Sequence, residues 1–175
     1  MILETKRLIL RDFYKEDWIK VHHYCSDEEV TKYTYWGPNS EDQTREFINK
    51  NIGSQRIVPR TNYELAVIDK SNNKLIGNCC INVDGSNAEI GYCISKNYWG
   101  CGYATEVSKA LLSYGFKELG IQRIYATCRP ENLRSARVME KIGMKKEGYI
   151  RDHFYTRNRW YDSYLYSIIK LDFED

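Results

Sequence analysis

A strand, a turn with two glycines and a helix follow one another between residues 88 and 120, and nothing else in the 175-residue chain restricts its fold as much. Ala88-Glu89-Ile90-Gly91-Tyr92-Cys93-Ile94 is apolar and β-branched enough to read as a strand. The turn lies in Tyr98-Trp99-Gly100-Cys101-Gly102-Tyr103-Ala104-Thr105-Glu106. Beyond it Val107, Ala110, Leu111 and Tyr114 recur at helical spacing, Leu112, Phe116 and Leu119 widen the stripe, and Gly120 provides a left-handed stop. Glycines let the backbone curl without a Cβ penalty, and the first amides of the helix point outward without partners. The helix dipole adds partial positive charge there, so the corner suits a phosphate or pyrophosphate. Two glycines would equally serve a tight strand-to-helix corner, and the turn alone leaves both readings open. It is no Walker loop, since no Lys-Ser or Lys-Thr follows the second glycine, and it lacks the third glycine of a dinucleotide fingerprint.

The rest of the chain arranges itself around this unit. Thr5 to Arg11 alternates in part, as a first strand would, and Asp17–Tyr24 and Asp27–Tyr33 read as short helices before Tyr35-Trp36-Gly37-Pro38. Ser40 is placed to cap a longer helix through Ile52, with Phe47 and Ile48 on its buried face. Asn62–Ile68 and Leu75–Val83 are expected as strands joined by Lys70-Ser71-Asn72-Asn73, and Asp84-Gly85-Ser86-Asn87 turns into the strand at 88–95. Ile121–Cys128 is a further strand, Pro130-Glu131-Asn132 opens a helix that stops at Gly143, and strands near Lys145–Tyr155 and Trp160–Leu171 close the chain. With no repeat, linker or low-complexity tract, residues 1–175 are expected to form one α+β domain.

Composition narrows the class. Lys and Arg exceed Asp and Glu by only two, which argues against direct nucleic-acid binding. No apolar run approaches the roughly 20 residues of a membrane span, and no signal-peptide pattern opens the chain, so a cytoplasmic protein without membrane partners is expected. Six cysteines (25, 79, 80, 93, 101 and 128) form no C-x-x-C pair, which fits a reduced compartment better than a disulfide framework or a zinc site. Fifteen Tyr and four Trp suggest aromatic-lined grooves.

Taken together, Thr5–Arg11, Ala88–Tyr92, the Trp99-Gly100-Cys101-Gly102-Tyr103-Ala104 turn, Asn132-x-x-Ser135 and Glu140-Lys141-Ile142-Gly143-Met144-x-x-Glu147-Gly148 resemble the GNAT N-acetyltransferases. The branch most similar is the one that acetylates ribosomal-protein N-termini, and the resemblance spans nearly the whole chain. It implies a mixed, mostly antiparallel sheet of about seven strands, flanked by helices, with a central parallel pair that splays apart. The acetyl-CoA pyrophosphate would lie on the backbone of Trp99, Gly100, Cys101, Gly102, Tyr103, Ala104 and Thr105. The pantetheine arm would pass between strands 88–95 and 121–128, bonding backbone groups near Cys93 and Ile94, with Asn132 reaching the arm or simply capping its own helix. Gly91 is read as a bulge that permits the opening, with plain close packing as the alternative. Trp99 stands where the family usually has Gln or Arg, and Cys101 has no basic neighbour in the loop. Extra cofactor contacts are therefore expected from Arg134, Arg137 or Lys141. Cys101 as a nucleophile is unnecessary when the amine attacks directly.

Acyl transfer from a thioester needs a neutral amine, a group to take its proton and a donor for the departing thiolate. Glu89 is the candidate base, matching a family glutamate, and alternation sets it on the face of Gly91 and Cys93; a plain strand ion pair is the other reading. The resemblance makes Ser135 of the Asn-x-x-Ser element the candidate acid, since Met139 replaces the tyrosine many relatives use; support of the helix cap is its other reading, and Tyr92, Tyr164 and Tyr166 are spare donors. Asp162 would attract the acceptor's cation or simply sit in a turn, while His22, His23 and His153 lack metal spacing, so no metal is expected. The reaction implied is direct transfer in a ternary complex, to a protein N-terminal α-amine or to a small amine such as a polyamine, an aminoglycoside or an amino-acid derivative. The loop at Tyr33–Trp36 would choose between them. A non-catalytic acyl-CoA-binding module and a ribosome-docking adaptor are the readings from other classes. A monomer or homodimer is expected.

Overall fold

The computed structural model describes residues 1–173. Eight strands form a single sheet in the order β1-β2-β3-β4-β5-β6-β8-β7. They are β1 (Ile2–Glu4), β2 (Leu8–Asp12), β3 (Asn62–Asp69), β4 (Lys74–Asp84), β5 (Asn87–Ile94), β6 (Arg123–Cys128), β7 (Lys145–Thr156) and β8 (Arg159–Ile169). The helices are α1 (Trp18–Cys25), α2 (Glu28–Thr31), α3 (Glu41–Ser54), α4 (Tyr103–Lys117) and α5 (Leu133–Lys141). Every neighbouring pair of strands is antiparallel except β5 and β6.

The sheet has one strand more than expected. The stretch 5–11 read as a single first strand is broken: β1 ends at Glu4, a turn through Thr5-Lys6-Arg7 reverses the chain, and β2 starts at Leu8. Thr5 holds that turn, donating its amide to the Leu8 carbonyl while its Oγ1 accepts the Leu8 amide at 2.9 Å. Ser40 caps α3 as expected, in a reciprocal box with Gln43.

Alternation along the strands divides the core between the two faces. Leu65, Val67, Cys79, Ile81, Ala88, Ile90 and Ile94 pack with Val107, Leu111 and Leu112 of α4 in one apolar cluster. Ala66, Ile68 and Cys93 pack on the other face with Val21, Tyr24 and Cys25 of α1 and Ile48 of α3. Gly115 lets α4 lie directly on the sheet: a Cβ there would stand 2.6 Å from Ile124 Cδ1 and 2.9 Å from Ile81 Cδ1.

The parallel pair decides what the fold can do. β5 and β6 pair only at Asn87–Arg123, Ala88–Ile124 and Glu89–Tyr125. Beyond Glu89, β5 stays zipped to β4 as far as Ile94, and β6 stays zipped to β8 as far as Cys128. The two strands therefore part from each other while each keeps its outer neighbour. Gly91 does not cause this by bulging, since the β4–β5 register runs through Cys80–Gly91 without a shift. Its reason is close packing: a Cβ at Gly91 would lie 3.2 Å from Cys80 Sγ.

Candidate active site

The turn after β5 builds the expected cradle. A single 3₁₀ turn, Lys96–Tyr98, leads into Trp99, and Gly100 and Gly102 then take φ of +77° and +78°. Both lie in the left-handed region that glycine alone enters without cost. Gly102 is the N-cap of α4, and no side chain caps this helix. Its first-turn amides are thus left for something outside the helix. Space is open above them: a Cβ on Gly100 would meet nothing within 4 Å.

Arg7 holds the cradle from behind. Its amide and Nε donate to Glu106 at 2.9 and 2.6 Å, and Thr5 Oγ1 donates to the same carboxylate at 2.6 Å. Nη1 reaches the Cys101 carbonyl at 2.9 Å, and the guanidinium lies 4.3 Å from the centre of the Tyr103 ring. The turn between β1 and β2 is thereby tied to the first turn of α4. The sequence reading did not single out Arg7 as a brace for this turn; its charge is paired with Glu106, so it fixes the loop rather than adding net positive charge to it. Trp99 braces the other side, donating Nε1 to the Ile94 carbonyl at 2.6 Å, with the Arg134 guanidinium 5.1 Å from its ring. Cys101 is an exposed free thiol. Arg137 and Lys141 are exposed on α5.

On the face shared with α4 and α5, Tyr92 and Ser135 meet across the gap. The Tyr92 hydroxyl donates to Ser135 Oγ at 3.3 Å. Burial pushes the Tyr92 phenol up to about 12, so it keeps its proton. Asn132 caps α5, its Oδ1 accepting the Ser135 amide at 3.2 Å.

On the opposite face, strand register sets two carboxylates on the same side of the sheet, two strands apart. Glu64 sits opposite Cys80, and Cys80 opposite Gly91. One row along, Asn62 sits opposite Asn82 and Asn82 opposite Glu89. Glu89 is half-buried, and among the described residues no hydrogen bond or ion pair holds its carboxylate. The strand ion pair weighed for it is therefore not formed, and burial raises its pKa. Glu64 escaped the sequence reading. Burial pushes it up to about 7, against the opposing effect of its hydrogen bond from Asn78 Nδ2 at 2.6 Å. Asn78 in turn accepts from the buried Tyr24 hydroxyl at 2.9 Å. The available signal was a lone acid within the apolar run Tyr63-Glu64-Leu65-Ala66-Val67-Ile68.

The β7–β8 hairpin tip closes over this side. Thr156 Oγ1 donates to the Tyr35 carbonyl at 3.0 Å, and Arg157 Nη2 to the carbonyls of Thr31 and Gly37 at 2.8 and 3.0 Å. Tyr35 stacks on Phe154 with centroids 5.4 Å apart. The Tyr35 phenol is pushed up by burial first and then by the charges of Cys80, Glu64 and Glu89, which sets it beside the two acids. Asp162 does not turn toward an acceptor: it lies in β8 and accepts from the Tyr149 hydroxyl and the Asp152 amide. Tyr166 is buried and donates to Glu140 at 3.5 Å, and Tyr164 packs edge-on against Tyr149. His22 meets Thr44, and among the described residues no cluster of His, Cys, Asp or Glu is arranged to hold a metal ion. No helix among them is long and apolar enough to cross a membrane.

This arrangement has relatives. The family model for the acetyltransferase (GNAT) domain matches residues 7–145. An uncharacterized N-acetyltransferase of Bacillus subtilis, YnaD, is 40% identical over 172 residues, covering 97% of this chain and 98% of that protein. The crystal structure of a GNAT-family acetyltransferase from Bacillus anthracis superposes with a TM-score of 0.88 at 42% identity, covering 98% of this chain and 99% of the other. A RimL ribosomal L7/L12 α-N-protein acetyltransferase in complex with coenzyme A shares the fold at a TM-score of 0.85 and 20% identity, covering 97% and 98% of the two chains.

Proposed function

Because the chain belongs to the acetyltransferase (GNAT) family and is an N-acetyltransferase, we propose that it transfers an acetyl group from acetyl-CoA to a primary amine, by direct attack in a ternary complex. One observation carries this reading: β5 and β6 separate after three paired positions, beside a helix start that no side chain caps. Acetyl-CoA supplies the activated acyl carbon and a thiolate leaving group. The residues fit such a ligand, with a glycine cradle open to a diphosphate and a gap between strands for a narrow arm.

Each group of the chain then has a task. The amides of residues 100–105 hold the diphosphate charge, with Arg137 and Arg134 as flanking cations, while the Trp99 amide donates to the Lys96 carbonyl. Backbone groups of β5 beyond Glu89, around Cys93 and Ile94, bond the arm and polarise the acyl carbonyl, a fixed dipole aimed at developing negative charge; the Ile94 carbonyl, which already accepts from Trp99 Nε1, is not among them. Ser135 donates its proton to the departing sulfur while Tyr92 donates to Ser135, so the hydroxyl hydrogen of Ser135 is free for that use. Glu89 takes the amine's proton, directly or through water, from the opposite face. Its raised pKa makes it a better base than an ordinary glutamate. The cofactor side and the acceptor side thus lie on different faces of the sheet, and the chemistry happens in the gap.

The acceptor favoured is a protein N-terminal α-amine. With a pKa of about 7.7–8.0 such an amine is roughly one-tenth neutral at pH 7, whereas a lysine-type amine near 10.4 is neutral in about one molecule in two thousand. A small amine with a similarly low pKa is the second reading. Thiol release from acetyl-CoA, measured against a panel of N-terminal peptides and small amines, tests both. Glu89→Gln and Ser135→Ala should each lower kcat by about 10²-fold or more while leaving the dissociation constant for CoA within about twofold. A parallel loss of CoA affinity would remove them from the chemical step.

A further inference from the structure

Arg129 follows directly on β6, at the mouth of the gap, and only 5% of it is exposed. Buried guanidinium groups ordinarily have a carboxylate partner. Arg129 has none among the described residues, and its Nη1 is buried without any hydrogen bond. Glu131 is near enough to be felt but makes no ion pair with it. The guanidinium instead lies over aromatic rings, 4.1 Å from the centroid of Tyr161 and 5.5 Å from that of Phe154.

A second orphan accompanies it. His153 Nδ1 is also buried without a partner, and the His153 ring lies 3.9 Å from that of Phe154. β7 presents this histidine through an irregularity: the register with β8 shifts between Ile150 and Phe154, and Asp152 takes φ of +48°. Bulges of this kind re-aim side chains. Burial first, and then the charge of Arg129, holds the His153 pKa down, so the ring is neutral near pH 7 and close to the guanidinium. In the tautomer with hydrogen on Nδ1, it is a neutral donor beside a cationic one. Phe154, which touches both, stacks on Tyr35 of the segment that the hairpin tip closes against. The unfilled donors therefore border the place assigned to the acceptor.

We propose that Arg129 and His153 together seat a carboxylate carried by the acceptor, so that the preferred substrate is an amine with an acidic group close by. The proposal rests on acetyl transfer at the adjoining gap. A carboxylate has two oxygens and can accept from both donors at once, which satisfies the two orphaned nitrogens and pairs the buried charge. It also gives Arg129 a partner near a hairpin tip that carries Arg157 and Arg159, an arrangement hostile to a polyamine. The acid can come from a free amino acid or from a side chain early in a peptide.

Two measurements test it. In the first, acetate is titrated into CoA-saturated enzyme and melting is followed. The wild type should gain several degrees and Arg129→Gln should gain none; equal responses, or none in the wild type, would overturn the carboxylate seat, including the case in which CoA already fills it. In the second, thiol release from acetyl-CoA compares matched acceptors: amino acids against their amides, and peptide amides that differ only by Asp for Asn at the second residue. The wild type should prefer the acidic member of one set by about tenfold or more in kcat/KM, and the set showing it names the source. Arg129→Gln should reduce that preference to about twofold with little change for neutral acceptors, and Arg129→Lys should restore part of it. Wild-type rates equal for acidic and neutral partners would refute the substrate class while leaving acetyl transfer intact, and this comparison needs no variant. If no amine of any kind released thiol, acetyl transfer itself would fall and the substrate assignment with it.

Discussion

Glu64 and Glu89 share a face, yet their surroundings differ. Glu64 is fixed by Asn78 and titrates near 7, whereas Glu89 has no hydrogen-bond partner and is raised by burial. Glu64 has a measurable signature in stability. Its folded pKa lies above the ordinary glutamate value of 4.5, so between about 4.5 and 7 the folded protein holds a proton that the unfolded chain has released. That contribution is complete below pH 4.5 and is lost as pH rises through 7. Glu64→Gln should therefore be nearly neutral at pH 5 and stabilising by about 2 kcal/mol at pH 8, read as the difference between two urea titrations. A variant less stable than wild type at both pH values would show that the carboxylate is not desolvated. If Glu64 also relays the amine's proton, the same variant loses the limb of the rate profile near pH 7. None of this was visible along the chain, because the sequence shows one acid in an apolar strand but not Asn78 across the ladder. The place of Glu89 on this face was legible from strand alternation; its part as the base is a proposal.

Among the elements, the glycine turn was the most legible and its support the least. Gly100 and Gly102 were read from spacing, and their positive φ agrees. Arg7 was not, because its bond to Glu106 spans 99 residues and no local pattern announces it. The same turn hid the break between β1 and β2, where partial alternation ran across a reversal. Gly91 misled for a related reason: an isolated strand glycine fits either a bulge or a close neighbour, and only Cys80 Sγ beneath it decides. The cradle makes its own prediction. Gly100→Val forces a β-branched residue to φ near +77°, at a cost of about 1–2 kcal/mol, and puts a side chain into the open space where the diphosphate would rest. CoA affinity by calorimetry should fall tenfold or more. Gly115→Val differs in kind. Its side chain would collide with Ile124 and Ile81 far from the cradle, so melting temperature should fall while CoA affinity of the folded fraction stays unchanged.

At the scale of the molecule, the sheet separates two tasks and one hairpin reconnects them. The cradle proposed for the cofactor depends on the β1–β2 turn and α4, while the face proposed for the acceptor is closed by the β7–β8 tip against the stretch 31–37. Arg157 is the strap, and it sits at φ of +49° beside Asn158 at +58°, the pairing of a two-residue hairpin turn. Arginine is a poor choice for that backbone, where asparagine or glycine is preferred. Its presence is accounted for by the carbonyls of Thr31, Lys32, Trp36 and Gly37, which accept from its guanidinium. Arg157→Asn should therefore relax the turn and remove the strap at once. Melting temperature should change little, because the easier turn offsets the lost bonds. Amide exchange in residues 31–37 should quicken, KM for the acceptor should rise about fivefold or more, and CoA affinity should not move. A rise in the CoA dissociation constant to match the acceptor KM would mean that the tip supports the whole site rather than its acceptor side. If only exchange quickened, the 31–37 segment would play no part in holding the amine.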